Sequence, residues 1–219
     1  MILRPLELHR TDRAALTIAG LAALIFVLLT VTVLGHLGAL ERADAVISGS
    51  AHRFALAHPL WQSAMSAITR TGSTTYIGPV AAVACLALLR WRRWRQAVFV
   101  AVAIPMTVEV RVLIMKAVAR PRPVEWLTSA SGWSFPSGHS TAAAAAALIA
   151  VLVGWPLLHR RRDRLILVGI AGAWAAAVGV SRVALTVHWP TDVLGAWLLV
   201  AVVVPVIAAG CGALPGPAK

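Results

Sequence analysis

Residues 181–192, SRVALTVHWPTD, bring an arginine, a histidine and an aspartate into an otherwise apolar sequence. Polar groups in such surroundings are costly unless they are paired or used. Asp192 follows His188 by four residues. If a helix opens there, the carboxylate reaches back to one imidazole nitrogen and leaves the other free, as a nucleophilic or basic histidine requires. The same spacing also suits a capping pair at a membrane interface.

Two further stretches carry chemistry. Pro136-Ser137-Gly138-His139 directly precedes the alanine run 142–147. Proline favours the first helical position, so the amides of Ser137, Gly138 and His139 are expected as unpaired donors of a helix start, a natural phosphate site. Gly138 permits close approach, Ser137 adds a hydroxyl, and His139 adds an acid/base group. A plain helix cap is the alternative. In Lys116-Ala-Val-Ala-Arg120-Pro121-Arg122-Pro123 the helix is expected to stop near Ala119, because residues before proline avoid the helical region. Lys116 offers a mobile point charge, and Arg122 or Arg120 a planar fork for phosphate oxygens. For Arg120, an interfacial anchor is the other reading.

The elements that must position these residues are membrane spans. The 219 residues are 59% hydrophobic and 13% charged, with a mean hydropathy of +0.81. That balance is far from a soluble protein's and predicts an all-α polytopic membrane protein. The net charge of +12 sits in short clusters between apolar runs, where it sets topology and does not indicate nucleic acid. Cys85 and Cys211 have neither disulfide-framework nor metal-ligand spacing.

Apolar runs predict six spans, near residues 14–40, 74–89, 96–119, 137–158, 165–180 and 191–210, in one integral membrane domain over residues 1–219. Residues 41–73 are too polar to span and read as an amphipathic surface segment after the first helix. Arg4, Arg10 and Arg13, the basic turn 90–95 and the basic turn 160–164 fall on one face, which is therefore cytoplasmic, with both termini inside. Lys116, Arg120, Arg122 and Arg182 then face outward, where Glu125 and Asp192 are the nearby acids. A cationic cluster of this kind suits an anion such as phosphate. Glu109 and Arg111 lie inside the third span, where ionisable groups are costly. Glu109 is expected to hydrogen-bond another span, and Arg111 has no evident partner.

Together these motifs resemble those of the type 2 phosphatidic acid phosphatase superfamily, which includes membrane lipid phosphatases, bacterial acid phosphatases and vanadium haloperoxidases. Pro136 to His139 match its second motif, and Ser181, Arg182, His188 and Asp192 its third. The first motif departs. The family usually has six residues between its lysine and the arginine of Arg-Pro, whereas Lys116 and Arg122 enclose five, and the position that would fit holds Met115.

The resemblance implies a metal-independent, two-step phosphoryl transfer with no cofactor. His188 would attack phosphorus, Asp192 would hold the imidazole tautomer, and His139 would protonate the leaving oxygen and then activate water. Lys116, Arg122, Arg182, Ser137 and the Gly138 amide would hold the phosphate oxygens, with Arg120 a further candidate. No carboxylate cluster is available on the outer face to bind magnesium. The expected protein is a lipid phosphatase of the plasma (inner) membrane, active at its outer face on a polyprenyl diphosphate, phosphatidylglycerophosphate or phosphatidic acid. A lipid phosphotransferase using the same residues, or an anion-binding or transport protein without chemistry, are the rival readings. Oligomeric state is not legible in the sequence.

Overall fold

The computed structural model describes residues 10–213, with side chains from Arg13 onward; Arg4 and both chain ends lie outside these residues. The described chain folds into α1 (Arg10–Leu34), α2 (Gly38–Ala57), α3 (Pro59–Thr71), α4 (Thr74–Arg90), α5 (Trp94–Val118), α6 (Gly138–Gly154), α7 (Arg161–Ala184) and α8 (Pro190–Gly210). A short 3₁₀ turn, Trp155–Leu157, prolongs α6, and no strand occurs among the described residues. Five helices, α1, α5, α6, α7 and α8, are long and apolar enough to cross a membrane. The 17-residue α4 covers only about 26 Å at helical rise. It passes the same test together with α3, from which it is bent by 41°. The chain is thus an all-α, multi-pass membrane protein.

Helix ends differ from the apolar runs where local chemistry intervenes. The first span stops at Leu34, not near residue 40, because the chain turns through Gly35 and His36 (φ 51) before α2 begins. At its other end, α7 carries Arg182 as a helical residue beyond the apolar run. A cation in the last turn suits the helix dipole, so polarity there does not end the helix. α5 stops at Val118, with Ala119 left-handed (φ 48) ahead of the Arg-Pro-Arg-Pro segment.

Residues 41–73 do form helices, but they do more than lie on a surface. α3 packs along α7, and Asp44, Ser48, Met65 and Thr69 point inward and are buried. The centre of the bundle is α6 against α7, α8 and α5, and α1 lies along α8. Ala142, Ala143, Ala145 and Ala147 are all buried, so the alanine run lets neighbouring backbones come close. Phe99, Val100, Ile149, Val200 and Val204 fill the space between α5, α6 and α8.

α5 and α7 finish, and α6 and α8 begin, at one end of the bundle. The arginine-rich turns after α4 and α6 lie at the opposite end.

Candidate active site

His188 sits in the short turn between α7 and α8 and is only 2% exposed. Its Nδ1 is 3.3 Å from Asp192 Oδ2, and its Nε2 is 3.0 Å from Arg122 Nη1. A guanidinium can only donate, so Nε2 is the acceptor and the ring proton resides on Nδ1, facing the carboxylate. Both neighbours therefore select the same tautomer. Asp192 Oδ2 also accepts the Trp189 amide at 2.9 Å, capping the start of α8. Cap and orienting carboxylate, alternatives in the sequence, are one arrangement here.

Burial pushes His188 down to about 4, against the Asp192 hydrogen bond and charge, while Arg122 and Arg182 add to the depression. The ring is neutral near pH 7, with its Nε2 lone pair intact. Burial likewise lowers Arg122 from its ordinary value, against the pull of Asp192.

Arg122 is fastened by backbone. Its Nε donates to Gly132 O at 2.9 Å, its Nη2 to Ser131 O at 2.8 Å and Trp133 O at 3.1 Å, and its Nη1 to Val187 O at 2.6 Å. One side chain thus ties the 131–133 loop to the histidine turn. Arg120 points the other way. Its Nη1 bonds Asp192 Oδ1 and its Nη2 bonds Asp44 Oδ2, each at 2.7 Å. Asp44 also accepts the Thr191 amide at 3.1 Å and its hydroxyl at 2.5 Å. Arg120 therefore sits behind the Asp192 carboxylate and does not line the cavity, which corrects its candidacy as a phosphate ligand. The physical reason is Asp44, a buried acid on α2 that captures the guanidinium.

In front of His188 lies a cavity of about 530 Å³, within the range of small-ligand sites. Arg111, Arg122, Gly138, His139, Arg182 and His188 line it, with Ser129 to Ser131 at the loop side and Gly72 to Thr75 at the α3–α4 bend. Arg182 is held by a 2.7 Å bond from Nη1 to Thr69 Oγ1, so α3 aims it. Ser137 is buried outside the lining. Its amide donates to Asp192 O at 3.0 Å and its hydroxyl accepts from Ser140 at 2.9 Å. The Ser137 amide is thus spent on structure, because α6 begins at Gly138 with Ser137, and not Pro136, flanking its first turn, whereas the hydroxyl, an acceptor from Ser140, keeps its own hydrogen to donate. Phe135 anchors this start. Its ring lies where a Cβ on Gly195 would fall 2.5 Å from Cε2, so only glycine at 195 admits it.

Lys116 does not join the cavity. It is exposed on α5 and absent from the lining. Successive helical residues differ by about 100°, so residue 116 points away from the face that residues 111 and 115 share. Arg111 occupies the cavity instead. Glu109 is also exposed and makes no hydrogen bond to another span among the described residues, contrary to expectation. The clue to Arg111 lay in its position, since an ionisable group inside a span marks function by default. Asp44 had no such signal, because its partners lie 76 and 147 residues away in sequence.

The family profile described as the PAP2 superfamily matches residues 113–211. The chain is 41% identical over 93 residues to phosphatidylglycerophosphatase B of Escherichia coli (strain K12). That match covers 41% of this chain and spans only 35% of the relative's length. It is 29% identical over 178 residues to phosphatidylglycerophosphatase B of Bacillus subtilis (strain 168), covering 80% of this chain and 86% of that one. The fold is similar to a transmembrane PAP2-type phosphatidylglycerolphosphate phosphatase from Bacillus subtilis, with a TM-score of 0.77 and 28% identity over 88% of this chain and 94% of that one. It is similar in fold to Aquifex aeolicus LpxE, with a TM-score of 0.58 and 21% identity over 78% and 94% of the two chains.

Proposed function

Because the chain belongs to the PAP2 superfamily, we propose that it is a lipid phosphatase that removes a phosphate from a lipid through a phosphohistidine intermediate. The observation that carries this reading is His188, neutral and oriented by Asp192, at the wall of a cavity shared with His139, Arg122 and Arg182.

In the first step His188 Nε2 forms a bond to phosphorus as the bond to the lipid oxygen breaks, and His139 gives that oxygen a proton. Asp192 balances the positive charge left on the ring. In the second step His139 takes a proton from water, whose oxygen bonds phosphorus as the P–N bond breaks, releasing inorganic phosphate. Arg122 and Arg182 hold the phosphate oxygens, where charges fixed in advance by the fold stabilise the transition state without reorganising. Arg122 Nη1 must leave Nε2 for a phosphate oxygen when substrate arrives, which frees the lone pair as the target appears.

The names of the similar proteins make phosphatidylglycerophosphate the first substrate to try, with polyprenyl diphosphates and phosphatidic acid beside it. The arginine-rich turns at the far end of the bundle support a cavity at the outer face of the plasma membrane. Phosphate release by purified protein from this lipid panel tests the reading. His188→Ala is expected to lose at least about a thousandfold in rate while remaining folded. Retained activity in that variant, or transfer of labelled phosphate to an acceptor in place of release, overturns it.

A further inference from the structure

We infer that Arg111 is a third phosphate-binding cation of this site, reaching the substrate from inside the membrane span α5; the inference rests on the phosphatase reading above. Arg111 lines the same cavity as His139, Arg182 and His188. Its Nε is fixed by a 2.8 Å bond to Pro136 O, the carbonyl just before the Ser137-Gly138-His139 helix start. Its terminal Nη groups make no hydrogen bond to the described residues. They lie flat against Gly138, where a Cβ would fall 3.2 Å from Cζ and 3.4 Å from Nη2.

Geometry and chemistry agree. One edge of the guanidinium is anchored to backbone and the other is left to the cavity, the disposition of a fork that grips two oxygens of an anion. No acid forms an ion pair with it among the described residues, and Asp192 is engaged by Arg120, Trp189 and His188. A half-buried guanidinium in a span without a counter-ion is costly, and a bound dianion supplies that counter-ion. The bare edge of Gly138 gives the fork and the helix start a common ligand position.

Met115 provides the control. It follows Arg111 by one helical turn, about 6 Å along the same face. It packs beneath Gly132, whose carbonyl holds Arg122; a Cβ at Gly132 would lie 3.6 Å from its Sδ. A lysine at 115, longer than methionine and beside the loop residue that follows cavity-lining Ser131, is expected to bring its charge to the cavity's loop side but cannot replace the Arg111 bond to Pro136.

The test compares parent, R111Q and R111Q/M115K for phosphate release from phosphatidylglycerophosphate and for inhibition by orthovanadate, a mimic of five-coordinate phosphorus. R111Q is expected to lose about 100-fold in kcat/KM, the scale of one lost transition-state donor, with weaker vanadate inhibition. R111Q/M115K is expected to regain about tenfold, since charge returns without the fork. R111Q within threefold of the parent, or a double variant with no recovery in activity and vanadate affinity, overturns the inference. If R111Q does not fold, the double variant decides alone: folded and active supports an anion-binding role, and unfolded or inactive means that Arg111 only braces Pro136. A parent that releases no phosphate from any lipid, with vanadate still bound more weakly by R111Q, sinks the phosphatase reading and leaves the anion site standing.

Discussion

At His188 the decisive property is which nitrogen carries the proton. Arg122 faces Nε2 and Asp192 faces Nδ1, so the lone pair is placed on Nε2 by a donor on one side and an acceptor on the other. Burial outweighs the carboxylate in fixing the protonation state, which keeps the ring neutral down to about pH 4, below an ordinary imidazole near 6.5. The sign follows: lowering pH through 6 leaves His188 uncharged, and protonation comes only near 4. Nitrogen-15 NMR of histidine-labelled protein in detergent, with H188A to assign the signal, is expected to show one ring titrating near pH 4. A His188 midpoint near 6.5 would contradict the buried, tautomer-locked arrangement.

Between elements, the joint that matters is Asp44–Arg120–Asp192. It ties α2, the segment after α5 and the start of α8 together behind His188, with side chains 3%, 11% and 0% exposed. Removing one partner of a buried ionic set strands the others, at a cost of about 3–5 kcal/mol. R120M is therefore expected to lower thermal stability strongly and to weaken catalysis by loosening Asp192. D44N/R120M is expected to cost less than the sum of the single changes, because both remove the same interaction. Additive losses, measured by thermal unfolding in detergent, would mean the two residues act independently. α3 makes a second joint through Thr69 to Arg182, so residues 41–73 frame the site.

For the whole molecule, the ends of α5 and α7, the starts of α6 and α8 and the α3–α4 bend lie on the cavity side of the bundle, and the arginine-rich turns lie on the other. Positive-inside bias supports the proposed outward-facing cavity, and labelling tests it. A single cysteine replacing Ser131 at the cavity rim, with Cys85 and Cys211 changed to serine, is expected to react with a membrane-impermeant maleimide added outside intact cells. A cysteine replacing His159, exposed in the turn after α6, is expected to be protected until the cells are opened. The reverse pattern would place the active site inside.

Much of this was readable residue by residue. Hydropathy determined an all-α, multi-pass protein because a bilayer demands long apolar helices, and the four-residue step from His188 to Asp192 kept the two within reach once α8 opened at Pro190 behind its Trp189 cap. Pro136-Ser137-Gly138-His139 likewise announced a helix start. What only the tertiary structure decided was which cations face which anions. Lys116 and Arg111 sit five residues apart on α5, yet helix rotation sends one to the surface and the other to Pro136. Arg120 and Arg122 are separated by one proline, yet a buried acid 76 residues away draws the first behind the site while a ring of loop carbonyls holds the second in front. Charge is written in the sequence, but its direction depends on partners that only folding brings within reach.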